Sequence, residues 1–142
     1  MLLTLLLTIL LVGLSVVIHY EALYNIAGHM AHAHKRPRQW VAFGVIGALI
    51  AHVVEIWLFA VGYYFLIHSG QAGTLGGDFT LSLQNCGYYS YITYTTLGFG
   101  DITPNGALRF LTGMEALTGL VMITWTASFM YLQMERLWKH HL

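Results

Sequence analysis

The sequence predicts an all-α membrane protein with three spanning helices and one short segment that enters the bilayer and returns. Three observations predict it. Of 142 residues, 57% are hydrophobic and 8% are charged, against roughly 25% charged in an ordinary soluble domain, so the chain cannot build a water-facing surface. Three stretches reach the roughly 20 apolar residues that a helix needs to cross the hydrocarbon core. The basic residues gather at two sites, Lys35-Arg36-Pro37-Arg38 and the C-terminal Arg136 and Lys139.

Residues 1–34 hold the first span and its cytoplasmic end. The apolar run begins near Leu2 and reaches about Tyr20, with continuation toward Ala27, and has no ionisable side chain before His19. It lacks the basic start of a signal peptide and is longer than such a peptide's apolar core, so it is expected to be retained. Ala31-His32-Ala33 resembles a cleavage site, but it would lie on the wrong side of the membrane for the basic loop beside it. Residues 35–39 form that loop. Short basic loops stay cytoplasmic, which places the N-terminus outside and the C-terminus inside, and Arg136 and Lys139 then obey the same rule. Pro37 suits a break between helices.

Residues 40–68 form the second span. Residues 69–86, with Gly70, Gly73, Gly76 and Gly77 among polar side chains, read as an exposed extracellular loop. Residues 105–142 form the third span and a short tail. No soluble domain, repeat or regularly spaced voltage-sensing arginine series is evident. The net charge of zero with His neutral gives no reason to invoke nucleic acid. One cysteine, Cys86, excludes an intrachain disulfide or a cysteine-based zinc motif and reads as a packed thiol.

Residues 87–104 carry the chemistry. Gly87-Tyr88-Tyr89-Ser90-Tyr91-Ile92-Thr93-Tyr94-Thr95-Thr96 is too short to span and too aromatic for a solvated loop, which suits a re-entrant helix. The Leu97-Gly98-Phe99-Gly100 that follows is tolerable at membrane depth only inside protein or along a water-filled path. The run Thr95-Thr96-Leu97-Gly98-Phe99-Gly100-Asp101-Ile102-Thr103-Pro104 resembles the pore signature of potassium channels: Thr, an aliphatic residue, Gly, an aromatic residue, Gly, Asp. The order of outer span, loop, pore helix, filter and inner span matches too, over about residues 40–138.

The resemblance implies a potassium-selective channel subunit, in which four identical chains surround one axis. Carbonyls of Thr96, Leu97, Gly98 and Phe99 would replace the water of a potassium ion, with Gly100 completing the filter. Leu97 and Phe99 would turn away and pack behind it. Asp101 would bond an aromatic residue of the pore helix, by position Tyr88, with Tyr89 adjacent. Two departures stand out: Ile92 replaces an acid that many relatives carry behind the filter, and Phe99 replaces the commoner Tyr. Potassium is the permeant ion, no cofactor is implied, and lipid and three further copies are the partners. Competing readings are a weakly selective cation channel on the same scaffold and a subunit of a potassium transporter, although transporters reusing this unit generally carry several degenerate copies in one chain. No nucleophile–base pair or haem-ligand pattern points to an enzyme.

Several residues keep more than one reading. Gly119, in mid-span, is a gating hinge or a point of close helix packing. Met130, Met134 and Leu137 are candidates for an apolar constriction near the inner end. Glu115, an acid within a span, needs a partner, either a pore-helix Tyr or Thr or a role in attracting ions. His52 and Glu55 share a helix face, and His19 lies at matching depth across the basic loop. These three form a structural hydrogen-bonded cluster, a proton sensor or a metal site. His29, His32 and His34 flank the basic loop, with a solvated face or loose metal binding as the alternatives. His140 and His141 carry no argument.

Overall fold

A computed structural model describes residues 1–31 and 37–139. The expectations attached to His32, His34, Lys35, Arg36, His140 and His141 therefore lie outside the described residues, as do those attached to the side chains of Arg38 and Leu137. The elements run α1 (Leu2–Ala31), α2 (Pro37–His68), β1 (Leu75–Gly77), α3 (Leu83–Tyr94), β2 (Ile102–Pro104) and α4 (Leu108–Lys139).

Helices α1, α2 and α4 are each long and apolar enough to cross a membrane, over Leu2–Met30, Gln39–His68 and Leu108–Arg136. At 1.5 Å per residue each is roughly 43 Å long, well beyond a hydrocarbon core of about 30 Å, so each tilts or projects. α1 extends past the expected end near Ala27 because nothing in Glu21–Ala31 breaks a helix; Gly28 is its one weak helix former there. One seam of α1 is buried, formed by Thr4, Thr8, Leu11, Ser15, His19, Leu23, Ile26 and Met30, which recur every three or four residues as one helix face requires. The outward faces remain apolar, as a lipid-facing surface demands.

α3 packs against both α2 and α4, and α1 packs on the same two long helices. The main core gathers Ile56, Phe59, Tyr63 and Leu66 of α2, Cys86, Tyr89, Ile92 and Tyr94 of α3, and Leu108, Leu111 and Met122 of α4. α3 begins four residues before the expected re-entrant segment. Ser82 caps it in an extended conformation (φ −148°, ψ 155°), and its hydroxyl accepts the Asn85 amide at 3.1 Å, a standard N-terminal device. Cys86 therefore lies inside a helix, buried, rather than in the loop.

The polar loop also holds an element that the sequence reading lacks. β1 and β2 pair antiparallel, Leu75 with Pro104, Gly76 with Thr103 and Gly77 with Ile102. Gly77 (φ +92°) makes the pairing possible, since a Cβ there would stand 2.0 Å from the Asp101 carbonyl oxygen. The stretch from α3 to Asp101 is thus tied at its base.

Candidate ion pathway

At its C-terminus α3 turns back on itself. Thr96 N–H donates to Thr93 O at 2.9 Å and Gly98 N–H to Ile92 O at 3.0 Å. The backbone then alternates in hand: Thr96 (φ 59°), Gly98 (φ 50°) and Gly100 (φ 81°) are left-handed, while Leu97 and Phe99 between them are not. Among the described residues Thr96 is the one non-glycine with positive φ, a conformation that costs a Cβ-bearing residue roughly 1–2 kcal/mol. Alternating hand along a short segment turns successive peptide groups to a common side. Leu97 and Phe99, expected to pack behind this segment, are 59% and 66% exposed in the single chain, so this subunit does not supply their surround.

Beside it, Tyr88 Oη donates to Asp101 Oδ2 at 2.7 Å. The bond to the Asp101 carboxylate raises the Tyr88 phenol above its usual 10.0, because the phenolate would lose the bond and face a like charge. Tyr89 turns the other way. Its hydroxyl pairs with Thr112 Oγ1 of α4 at 3.0 Å, and its ring meets Tyr63 edge to face at 5.1 Å.

Glu115 is fully buried behind α3. Its partners are neither the Thr nor the Tyr residues of α3. Tyr63 of α2 donates to Oε2 at 2.6 Å, and Ser90 of α3 bonds Oε1. The short Ser90 side chain suits this place because α3 lies close to α2: Ser90 Oγ also reaches the Ile56 carbonyl at 2.7 Å. The longer Tyr89 overshoots to Thr112. One hydroxyl proton cannot serve both neighbours of Ser90, and a carbonyl only accepts. Every bond is filled when Ser90 donates to Ile56 O and the Glu115 carboxyl supplies the second proton. Glu115 is then an uncharged acid, as suits a sealed site at membrane depth.

Gly119 lies against the end of α3. A Cβ there would stand 2.0 Å from the Tyr94 carbonyl oxygen, so close packing accounts for this glycine. Met130 is buried within the chain, its Cε 3.2 Å from where a Cβ on Gly44 of α2 would lie, and so presents little surface for a constriction. Met134 is half-buried.

His19, His52 and Glu55 do come together. Nδ1 of His19 is 2.9 Å from Glu55 Oε1, and Nδ1 of His52 is 3.6 Å from Oε2. Their potential ligand atoms lie within 4.8 Å of one another. Each is already engaged, however. Tyr94 of α3 donates to Glu55 Oε2 and is 3.1 Å from His52 Nδ1, and Thr126 Oγ1 of α4 is 3.1 Å from Nε2 of both histidines. The set is a closed hydrogen-bonded network rather than an open coordination sphere. Sequence reasoning missed Ser90, Tyr63, Tyr94 and Thr126. Each carries a hydroxyl, but nothing in the sequence says which neighbouring helix that hydroxyl faces. His29 bonds its own helix, with Nδ1 2.7 Å from Asn25 O.

Long apolar helices around a short, tied helix with a left-handed turn beyond it define a multi-pass membrane protein. The ion channel family model matches residues 40–136, from α2 to near the end of α4, and the chain belongs to that family. It is thus a channel subunit that passes ions. α1 lies outside the match. The chain matches no curated protein and no solved structure.

Proposed function

We propose that the chain is one subunit of a homotetrameric, potassium-selective channel, with Thr96-Leu97-Gly98-Phe99-Gly100 as its filter and the N-terminus outside. The observation that carries this reading is the alternation of backbone hand at Thr96, Gly98 and Gly100, within a segment matching the potassium signature at each defining position. Such a segment turns carbonyls toward one line, where they replace the hydration shell of a potassium ion. One chain provides one wall, and a closed ring of four provides the rest. The exposure of Leu97 and Phe99 supports the ring, since neighbouring copies would cover them. Tyr88 and Asp101 brace the outer mouth, and Glu115 holds α3, the re-entrant pore helix in this reading, from behind.

Planar-bilayer recording of the purified protein under a potassium/sodium bi-ionic gradient tests this. The reversal potential is expected to sit far toward the potassium equilibrium value. A reversal near zero would replace this reading with a weakly selective cation channel.

A further inference from the structure

Where the four helices converge, the histidine network has a proton count that its geometry fixes. The Tyr94 hydroxyl proton is committed to Glu55 Oε2, so the bond between Tyr94 and His52 requires a proton on His52 Nδ1. One proton lies between His19 Nδ1 and Glu55 Oε1. Thr126 Oγ1 faces two ring nitrogens, His19 Nε2 and His52 Nε2, each at 3.1 Å. A hydroxyl has one proton to donate, so it serves one ring, and the other ring must itself carry N–H. His19, His52 and Glu55 therefore hold three protons between them. Two neutral imidazoles and a carboxylate would hold two. The third makes the group neutral overall, whichever ring or oxygen it rests on.

We propose that His19, His52 and Glu55 form a proton-binding site that fastens the first helix to the pore helix and the inner helix, and that loss of its shared proton lowers conduction. Every element packed at the site contributes: α1 gives His19, α2 gives His52 and Glu55, α3 gives Tyr94, and α4 gives Thr126, with the Trp125 ring 5.2 Å from that of His19. Loss of the shared proton leaves a net negative charge in a site where His19 and Glu55 are fully buried. It also sets a bare ring nitrogen against the Thr126 oxygen. Both changes are costly away from water, and both loosen the contacts that hold α1 and α2 against α4.

The site opens toward one side cavity. His52 is 13% exposed and borders a cavity of about 440 Å³ that Tyr94, Thr95, Thr126 and Met130 also line, so protons exchange through His52. The effect reaches the filter through Tyr94, which lies two residues before Thr96 and whose carbonyl rests on Gly119.

The part of the proposal that concerns conduction rests on the channel reading; the proton does not. Solid-state ¹⁵N spectra of the ring nitrogens, recorded on the full chain in lipid bilayers and assigned with His19→Gln and His52→Gln, test the proton directly. At about pH 7 the wild type is expected to show either one imidazolium beside an ionised Glu55 or two neutral rings beside a protonated Glu55 carboxyl. Two neutral rings beside an ionised Glu55 carboxylate, read from its ¹³C shift in the same samples, would overturn the site, and that result does not depend on any variant folding. Potassium flux from liposomes of the same protein is expected to fall at least about threefold as the proton leaves. Flux that stays constant while the rings titrate would overturn the coupling. Flux absent at every pH would count against the channel reading, and the ring spectra would still decide the proton site.

Discussion

Ser90 Oγ has one proton and two neighbours, and that shortage sets how Glu115 responds to substitution. Glutamine can replace an uncharged acid, accepting from Tyr63 and donating to Ser90. Glu115→Gln is therefore expected to cost less than about 1 kcal/mol, whereas Glu115→Ala removes both bonds, leaving Ser90 only the Ile56 carbonyl and Tyr63 only Thr112 Oγ1 at 3.2 Å, at a cost of about 1–3 kcal/mol. Thermal unfolding in detergent compares the two, and equal losses would contradict the neutral acid. Tyr88 gives a pH dependence of known sign. Asp101 raises its phenol above 10.0, so the Tyr88–Asp101 bond is intact below about pH 10 and is lost only as pH rises through the raised value. Ultraviolet titration is expected to show that Tyr88→Phe removes one tyrosine from the late-ionising part of the curve. The Tyr88–Asp101 pairing was legible in the sequence because the two residues lie at fixed offsets in one motif. Ser90 was not, because a single serine between tyrosines carries no sign of which helix it faces.

Among the elements, the three long helices were legible because apolar length alone specifies a spanning helix. The start of α3 was not, because Asn85 and Gly87 resemble loop residues and the Ser82 cap precedes no clear apolar run. The β1–β2 pairing escaped for a related reason: three-residue strands leave no alternation to read. Between elements, the contact of α4 with α3 makes a sharp prediction. A Cβ on Gly119 would meet backbone rather than a flexible side chain, so neither partner can yield by changing rotamer. Gly119→Ala is expected to destabilise the protein by about 1–3 kcal/mol, outweighing the roughly 1 kcal/mol that alanine gains over glycine in a helix. Chemical unfolding measures the balance, and a net gain in stability would remove the packing role and restore the hinge.

At the scale of the whole molecule, a single chain leaves Leu97 and Phe99 largely uncovered. Native mass spectrometry from detergent micelles is expected to find four copies of the 15.9 kDa chain; a stable monomer or dimer would contradict the ring. The same surface explains a difference between sequence and structure. The motif implies that these side chains are packed, and in the proposed ring the packing surface belongs to other copies. Helix α1 is the opposite case. Its family neighbours give no guide, since the match begins at residue 40, yet its polar seam of Thr4, Thr8, Ser15 and His19 was present in the sequence at helical spacing and identifies the face turned toward α2 and α4.

The short antiparallel pairing at 75–77 and 102–104 has a consequence for modularity. It acts as a drawstring at the neck of everything between, so that α3 and the turn beyond it form a cassette with both ends in one place. A cassette closed at its neck has already met the entropy cost of bringing its ends together. It can therefore be transplanted between scaffolds as a unit, provided the recipient supplies the glutamate and backbone carbonyl that Ser90 meets at its back.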